Sequence, residues 1–598
     1  MERQFGPEID DLREPHRQSA KNLLHYLSLR RHDLRPLQEQ LTSFGLSSLG
    51  RSESQVAANL DAVLRVLRCM LRQPLGDFET EPSDFSSGRW LLEKNTAALL
   101  GPPPQGRNVR IMVTMPTEAG SDYILVRELL ASGMNCMRVN GAHDDEVAWA
   151  GMIENLRRAE RELGKPCTVL MDVPGPKLRT GPTEFIDGVI KVGPKRDRRG
   201  NVTETAKIWL TAMEKPEKPE SNARVILTLP GEWLSQLLSG DRIKFFDARG
   251  TACSMKVTAP AGSNRLAESD QTFYLTSDIV LQRFRSGVTG VGSQCRVGPI
   301  PKTPQPIVLK PGDLLDLLPN RDAVRSTMKD PNGNYLEPPT IGVTLPEIFF
   351  DVKPGEMIWF DDGKIGGVIR AANANKMTVE ITRARAKGAK LRADKGINLP
   401  DTELKLPALT DADIALLPFI ARHADLLGYS FVRRPADIHL LQTELAKIGA
   451  TDLGIVLKIE TRKAFERLPN LILAAMRSSR VGVMIARGDL AVECGYERTG
   501  ELQEEIMWIA EAAHVPVIWA TQVLENLAKK GQPSRAEITD AAMAERAECV
   551  MLNKGPYVVQ AVQMLDDVLR RMQSHQTKKI SWLRQLQLAN RFCGGEGA

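Results

Sequence analysis

Cysteine is scarce in this chain and follows no ligand or disulfide pattern. No two cysteines have the CxxC spacing; the eight stand at positions 69, 136, 167, 253, 295, 494, 549 and 593. Scattered cysteines of this kind argue against a cysteine-ligated metal site and a redox-active dithiol. Several lie in apolar runs, so we expect buried, reduced thiols in a reducing compartment.

The sequence also lacks a long hydrophobic run. No segment approaches the roughly 18 apolar residues of a membrane helix, and the charged N-terminus has no apolar core like that of a secretory signal. The net charge of +5 over 598 residues is mild, and the basic run at 196–199 is typical of a solvated surface. We therefore expect a cytoplasmic protein with no membrane and no nucleic acid among its partners.

Residues 1–104 have the spacing of amphipathic helices. Leucine and valine between positions 60 and 71 recur at i, i+3, i+4, i+7 and i+11, which places them on one helical face. The run GPPP at 101–104 then marks a linker. This pattern predicts an N-terminal helical accessory domain.

After the linker, short apolar runs alternate with amphipathic helical segments. The eight strand-like runs lie at 109–115, 134–139, 167–172, 424–432, 453–459, 481–485, 515–519 and 548–552. Strands that alternate with helices pair in parallel, and eight repeats favour an α/β fold, the closed (β/α)8 TIM barrel. Strands one to three fall in residues 105–181 and strands four to eight in residues 405–575.

The alternation is interrupted between residues 182 and 404. This segment is rich in Gly, Pro and β-forming residues, with strand-like runs such as 242–246 and 376–382. A segment of this length is too long for a loop and needs a core of its own. We predict an inserted, mainly-β lid domain after strand three, and a short tail at 576–598.

The stretch 481–493, VGVMIARGDLAVE, joins a buried strand to a chemically useful turn. Gly488 permits close backbone approach, and Asp489 is a hard oxygen ligand suited to Mg²⁺. A helix beginning at this turn would present free N–H groups to an anion. An RGD triplet alone is more typical of a surface turn, so a functional role for it depends on the residues around it.

Polar residues follow several predicted strands, at the end where barrel active sites form. Glu460 and Asp489 end adjacent strands, and we expect them to share one divalent cation. Lys458, Arg138 and Arg179 are expected to converge opposite the two carboxylates. Cations, a metal site and backbone N–H groups together point to phosphoryl transfer, in which positioning and charge neutralisation dominate. The alternative is an inert barrel capped by ion pairs.

The chain resembles the pyruvate kinase family over about residues 109–181 and 391–566, with the insertion at the same place as in that family. The shared motifs occur in the family's order: CMRVNGAH (136–143), GPKLRTG (175–181), DDG (361–363), KGINLP with LPALTDAD (395–413), SFVRR (430–434), KIE (458–460), MIARGDLAVE (484–493), ATQVLE (520–525) and PSRAEITDAA (533–542).

The resemblance implies a glycolytic phosphotransferase that makes pyruvate and ATP from phosphoenolpyruvate and ADP. Phosphoenolpyruvate would chelate Mg²⁺ held by Glu460 and Asp489, with its carboxylate on the N–H groups of Gly488 and Asp489. Lys458 would stabilise the phosphoryl group in transfer, and Thr521 would help to protonate the enolate. The inserted domain would close as a lid and exclude water. The residues that match family positions near the nucleotide or the transferring phosphate are Arg138, Asn140, His143 and Arg179.

Two departures from the family concern its K⁺ site. Ala142 replaces a serine that helps to bind K⁺, and Lys177 stands where the family usually has Glu. Losing an oxygen ligand and gaining a fixed positive charge both disfavour a bound cation. We expect Lys177, near Asn140 and Asp172, to replace the monovalent cation, so that activity does not require K⁺.

Two further departures lie at the barrel mouth, and a third lies at the C-terminus. Strand one ends in TMPTEAG (114–120), which differs from the family's turn. Strand eight runs into Asn553-Lys554-Gly555, where the family has a longer loop implicated in proton relay, so the protonation of enolpyruvate stays open. The family's C-terminal domain is expected to be absent, and with it the usual sugar-phosphate activation.

Two alternatives to the kinase stay open. One is a barrel enzyme that keeps Mg²⁺–enolate chemistry but uses another acceptor or acts as a lyase, which the altered strand-eight loop favours. The other is an inactive metabolite sensor or scaffold whose N-terminal helices contact a partner or a second copy. Retention of Lys458, Glu460, Asp489 and Thr521 favours the kinase. The sequence does not decide whether the protein is a homo-oligomer.

Overall fold

The N-terminal region is helical, as its leucine spacing predicted. The computed structural model describes residues 2–74, 87–219, 223, 225–285, 292–325, 330–331, 335–578 and 580–581. Within the described residues, no helix is both long and apolar enough to cross a membrane. The N-terminal helices are α1 (Glu2–Asp10), α2 (Glu14–Leu29), α3 (Arg35–Ser43), α4 (Val56–Met70) and α5 (Ser87–Leu100).

The next segment forms the first three barrel strands. Its elements are β1 (Arg110–Thr114), α6 (Tyr123–Ala131), β2 (Cys136–Asn140), α7 (Glu146–Leu163) and β3 (Thr168–Val173). Asp145 caps α7 by accepting a hydrogen bond from the Ala148 N–H, and Gly164 ends that helix with a φ of +65°. All five residues of β1 are buried, as expected for a strand covered on both faces.

The described residues of the inserted segment form two separate hydrophobic cores. The first core lies under a seven-stranded sheet and the second under another sheet of seven strands. The elements are β4 (Phe185–Ile186), β5 (Ile190–Val192), β6 (Lys195–Arg196), β7 (Val202–Glu204), β8 (Ala206–Ala212), β9 (Val225–Leu229), α8 (Gly231–Ser235), β10 (Arg242–Phe246), β11 (Ala252–Ala261), β12 (Asn264–Ser269), β13 (Phe273–Leu275), β14 (Val280–Phe284), β15 (Gln294–Arg296), β16 (Thr303–Pro304), β17 (Ile307–Leu309), β18 (Leu314–Leu318), β19 (Val324–Arg325), β20 (Thr340–Gly342), β21 (Met357–Phe360), β22 (Ile365–Asn373), β23 (Lys376–Arg383), β24 (Ala389–Leu391) and β25 (Ile397–Asn398). The first sheet has the order β15-β14-β10-β11-β12-β8-β9, and the second has the order β19-β20-β18-β23-β22-β21-β25.

The chain then returns to the barrel. The remaining elements are α9 (Asp411–His423), β26 (Leu426–Tyr429), α10 (Pro435–Lys447), β27 (Gly454–Ile459), α11 (Arg462–Glu466), α12 (Leu468–Ala475), β28 (Val481–Ala486), α13 (Arg487–Cys494), α14 (Thr499–Ala512), β29 (Val517–Val523), α15 (Glu525–Lys530), α16 (Arg535–Met543), β30 (Cys549–Leu552), α17 (Val558–Gln573), β31 (Gln576–Thr577) and β32 (Ile580–Ser581). The barrel order is β1-β2-β3-β26-β27-β28-β29-β30, and β30 pairs with β1 to close it. The predicted (β/α)8 fold class is confirmed. Most of the predicted tail, residues 582–598, lies outside the described part of the chain.

Helix α5 fills the floor of the barrel. Leu99 and Leu100, each 1% exposed, pack into the cluster of side chains inside the barrel, with Met112 and Met484 among their neighbours. A Cβ atom at Gly482 would lie 2.4 Å from Leu99 Cδ2, so glycine at the second residue of β28 leaves the space that the leucine occupies. Helix α5 is therefore packed into the barrel and not merely attached to it.

Truncating the side chain that fills this floor should destabilise the protein. We expect Leu99→Ala to lower the free energy of unfolding by about 2–5 kcal/mol, because it removes buried methyl groups and leaves a cavity. Urea denaturation followed by fluorescence measures the change. Leu71→Ala makes the same chemical change at a residue that is 66% exposed and should have little effect. Equal effects of the two variants would contradict this role of α5.

Candidate active site

Most of the predicted site residues line one cavity of about 120 Å³ at the C-terminal ends of the barrel strands. This is the end at which barrel proteins carry their active sites. The predicted residues on the cavity wall are Arg138, Asn140, His143, Lys177, Lys458, Glu460, Asp489 and Thr521.

Asp172, near the end of β3, links two cations of this cavity. Its Oδ2 accepts hydrogen bonds from Arg138 Nη2 at 2.5 Å and from Arg138 Nε at 3.0 Å, and Lys458 Nζ lies 3.3 Å from the same oxygen. Lys458 Nζ also lies 2.9 Å from Glu460 Oε1 and donates to Ser430 Oγ at 2.7 Å. The lysine is therefore fixed between two carboxylates.

Ion pairing keeps the buried groups of this network charged. Burial alone would raise the pKa of Asp172, but the charges of Arg138 and Lys458 outweigh it and hold that pKa below its ordinary value. Burial would likewise lower the pKa of Lys458, yet Asp172 and Glu460 keep it above its ordinary value. Lys458 thus presents a permanent positive charge at the cavity wall.

Glu460 and Asp489 form the acidic side of the cavity. Glu460 Oε2 accepts a hydrogen bond from the Phe431 N–H at 2.7 Å, which orients the carboxylate. Burial, and then the negative charge of Glu460, raise the pKa of Asp489 to about 6. A divalent cation between the two carboxylates would relieve this repulsion.

The donor set on the acidic side suits a cation that keeps open coordination positions. Among the residues that the structure describes, no group of three or more His, Cys, Asp and Glu side chains is arranged to hold a metal. Mg²⁺ is commonly bound by one or two carboxylates together with water and substrate oxygens. Glu460 and Asp489 fit that pattern, and an all-protein cage for a tightly held structural metal is not present in this part of the chain.

Arg487 anchors the turn that carries Gly488 and Asp489. Its Nη2 lies 2.9 Å from Asp540 Oδ2, and its guanidinium carbon lies 4.9 Å from the centroid of the Trp519 ring. The RGD triplet predicts a role for its aspartate. The pairing of its arginine with Asp540, 53 positions away, could not be predicted from the sequence. The ion pair fixes the first residue of α13 and with it the position of Asp489.

Thr521 has an unusual backbone conformation beside this turn. Its φ is +66°, which β-branched residues rarely adopt. Its Oγ1 accepts a hydrogen bond from the Gly488 N–H at 3.0 Å. The N–H group predicted to hold a substrate carboxylate therefore has the Thr521 hydroxyl as its partner in the structure.

A second cavity, of about 250 Å³, adjoins Arg138 and His143 and is lined by Lys529 and Lys554 as well. Burial, and then the positive charge of Lys554, lower the pKa of His143, so its imidazole is neutral at pH 7. Lys529 was not singled out from the sequence, because no motif marks it. The cations around a neutral histidine make this cavity suited to an anion.

Arg179 does not line the central cavity with the other predicted cations. It lies on the wall of a third cavity, of about 210 Å³, that faces the inserted segment and shares Lys177 and Asp489 with the central one. Arg179 Nη1 lies 2.6 Å from Asp394 Oδ2, and its backbone forms a bridge with Gly396. The ion pair with Asp394 therefore holds this arginine at the inserted segment.

The fold and the site define a class of protein: a (β/α)8 barrel with an inserted β segment and a mouth cavity lined by carboxylates and cations. A family profile described as "Pyruvate kinase, barrel domain" matches residues 106–215 and 296–562. The chain belongs to the pyruvate kinase family.

Individual relatives match this chain over part of their length. A pyruvate kinase from Bacillus licheniformis is 32% identical over 241 residues, covering 39% of this chain and 40% of that protein. The pyruvate kinase of Thermotoga maritima is 32% identical over 255 residues, covering 41% and 52%. The chain thus matches about half the length of these curated relatives, or less. A crystal structure of a pyruvate kinase from Cryptosporidium parvum shares the fold, with a TM-score of 0.51 and 18% identity over 80% of this chain and 72% of that one.

The charge on Asp172 should be needed for stability as well as for the site. We expect Asp172→Asn to lower the free energy of unfolding by about 3–5 kcal/mol, because it leaves buried Arg138 and Lys458 without their shared counter-charge. Urea denaturation measures the loss. The control is Asp33→Asn, which breaks an exposed pair with Arg35 and should leave the unfolding midpoint unchanged. An Asp172 variant as stable as the control would contradict the network.

Proposed function

We propose that this protein is a pyruvate kinase that transfers the phosphoryl group of phosphoenolpyruvate to ADP and forms pyruvate and ATP. The position of Lys458 carries the proposal. Its ammonium group lies between Asp172 and Glu460, on the wall of the cavity that Asp489 also lines. A fixed cation beside two metal-binding carboxylates neutralises the charge of a phosphoryl group in transfer. A cytoplasmic location is the setting that we predict for this reaction.

Glu460 and Asp489 are the residues that would hold Mg²⁺. Hard carboxylate oxygens suit this ion, and the repulsion that raises the pKa of Asp489 supports a cation between the pair. When bound, Mg²⁺ would supply charge neutralisation and a template for a phosphorylated carboxylate. The Phe431 N–H holds Glu460 in its orientation for this task.

Substrate positioning falls to the turn at the start of α13. The N–H groups of Gly488 and Asp489 would receive the substrate carboxylate. Because the Gly488 N–H donates to Thr521 Oγ1 at 3.0 Å, substrate must displace that hydroxyl. The released Thr521 hydroxyl could then hold a proton near the enolate carbon, which gives the threonine its proposed role in protonation.

The nucleotide is proposed to lie along Arg138, Asn140 and His143, with Arg179 reaching from the wall that faces the inserted segment. Lys554, in the altered loop after strand eight, lines the same cavity as His143 and adds positive charge there. A cation at this place would attract nucleotide phosphates. The inserted segment contacts the barrel at the third cavity, where Asn398 Nδ2 donates to Glu493 Oε1 at 2.9 Å, which supports its role as a lid.

Product analysis tests the proposal directly. Incubation with phosphoenolpyruvate, Mg²⁺ and each nucleoside diphosphate should release pyruvate and nucleoside triphosphate in equal amounts. Lys458→Ala should lower this rate by at least about 10²–10³-fold, because it removes a charge aimed at the transferring group. Calorimetry should still detect Mg²⁺ binding to that variant. Lys447→Ala, at a surface lysine that pairs with Glu444, is the matched control and should keep the native rate.

Other outcomes of this assay would replace the proposal. Pyruvate without triphosphate would favour the barrel enzyme with another acceptor, which the short loop at 553–555 leaves open. No turnover, together with retained binding of phosphoenolpyruvate, would favour the inactive sensor.

The cation requirement gives a separate test. Lys177 lines the central cavity with Asn140 and Asp489, and the Asn140 Oδ1 accepts from the Ala142 N–H at 3.2 Å. We therefore expect an unchanged rate when K⁺ is replaced by tetramethylammonium at constant ionic strength. The double variant Ala142→Ser with Lys177→Glu should become dependent on K⁺, because it restores oxygen atoms and removes the fixed charge. A steep rise of the native rate with K⁺ would be incompatible with a lysine surrogate.

A further inference from the structure

The sheet over the first core of the inserted segment has one buried face and one exposed face. Ile243 and Met255 point to the buried face, where both are 1% exposed or less. Side chains alternate along strands, so their neighbours on β10 and β11 point outward. Most of this sheet belongs to residues 216–295, which lie between the two stretches that match the pyruvate kinase profile. Its exposed face is therefore outside the part of the chain that the family relation explains.

The strand register collects cations and aromatic rings on this outer face. Arg242 lies opposite Lys256 on one side and opposite Phe284 on the other. Residues directly opposite each other in an antiparallel pair share a face. Lys244 and Phe246 follow at two-residue intervals on β10 and point the same way. The three cations are exposed.

The positive charge of this face exceeds its negative charge within the described residues. Arg242, Lys244 and Lys256 form no ion pair there, in contrast to Arg285 at the sheet edge, whose Nη2 lies 2.8 Å from Asp241 Oδ2. The one acidic side chain in register with them is Glu268, opposite Lys256. Excess charge of one sign on an exposed face is a feature of surfaces that attract a partner of the opposite sign.

The aromatic side chains separate this face from an ordinary solvated surface. Phe246 is 68% exposed although the neighbouring Phe245 is buried. Phe284 is partly exposed, and Lys244 Nζ lies 4.5 Å from the centroid of its ring. An accessible ring beside cations offers a stacking surface and countercharges within one patch.

We propose that this face, defined by Arg242, Lys244, Lys256, Phe246 and Phe284, binds single-stranded nucleic acid. Cations would contact phosphates and the rings would stack on unpaired bases, as in sheet surfaces that bind single strands. Adjacent strands are about 4.8 Å apart, so the patch from β11 to β14 extends over about 10 Å across the strands and fits a few nucleotides. An acidic protein would form ion pairs with the cations, but it would offer no base to stack on the accessible Phe246 ring. The inference does not depend on the proposed reaction.

Fluorescence anisotropy with labelled oligonucleotides tests this site on the full-length protein. Oligo(U) and oligo(dT) of about 20 nucleotides should bind, with affinity falling steeply as salt rises. Arg242→Glu with Lys244→Glu should weaken binding at least about 10-fold and reduce the salt slope by about 1.4 units, because two phosphate contacts are lost. Phe246→Ala should weaken binding about 5- to 100-fold and leave the salt slope unchanged, because it removes stacking and not charge.

A matched charge reversal on the same sheet domain is the control. Lys215 and Lys218 are exposed residues of the loop before β9, and Lys215→Glu with Lys218→Glu makes the same change in net charge. This control should bind as the native protein does, and circular dichroism should show that every variant is folded. Higher affinity for oligo(U) than for oligo(dT) would identify RNA as the ligand, and the reverse would identify DNA; either supports the site.

Four outcomes would overturn the proposal. They are no binding of either single strand, equal weakening in the control variant, tighter binding of a duplex than of single strands, and binding of polyglutamate without binding of oligonucleotides. The last result would assign the face to an acidic protein instead.

Discussion

Compensation of buried charge at the barrel mouth is the constraint on which the site depends. Neither Lys458 nor Asp172 could stay ionised in its buried position alone, because desolvation opposes the charge of each. Each is held charged by at least one partner from another strand: Asp172 of β3 by Arg138 and Lys458, and Lys458 of β27 by Asp172. Closing the barrel therefore also brings together the charges that stabilise the site. A barrel with a shifted strand register would leave these charges unpaired, so the network also favours the native register.

Local patterns in the sequence were sufficient for the barrel and for much of its mouth. The strands are short apolar runs, and the chemistry of Glu460 and Asp489 can be read where such runs end. What could not be predicted depends on distant parts of the chain. The pairing of Arg487 with Asp540 and the left-handed backbone of Thr521 are examples. Both arise from tertiary packing, which overrides local preference, and neither is indicated by the hydrophobic pattern of the sequence.

The inserted segment shows a second limit of sequence reasoning. Its length required a hydrophobic core, but alternation along single strands does not reveal how many cores the strands share, and there are two. The local distribution of charge could not be predicted from the sequence either. A net charge of +5 over the chain gave no reason to expect a polyanionic partner, whereas strand pairing places Arg242 beside Lys256. Such a local concentration becomes visible only when the register is known.

The insertion of Leu99 into the barrel floor has a consequence for the order of folding. Helix α5 leaves the ribosome before any of the eight barrel strands. Strands β1 to β3 contribute neighbours to its end soon afterwards, but β27 and β28, whose Gly454 and Gly482 lie against Leu99, follow hundreds of residues later. Part of this apolar helix end therefore stays uncovered until β27 and β28 arrive. Contacts of such long sequence separation form slowly, and exposed apolar surface attracts chaperones or aggregation in the meantime. Closure of the barrel around Leu99 thus joins segments that lie hundreds of residues apart along the chain.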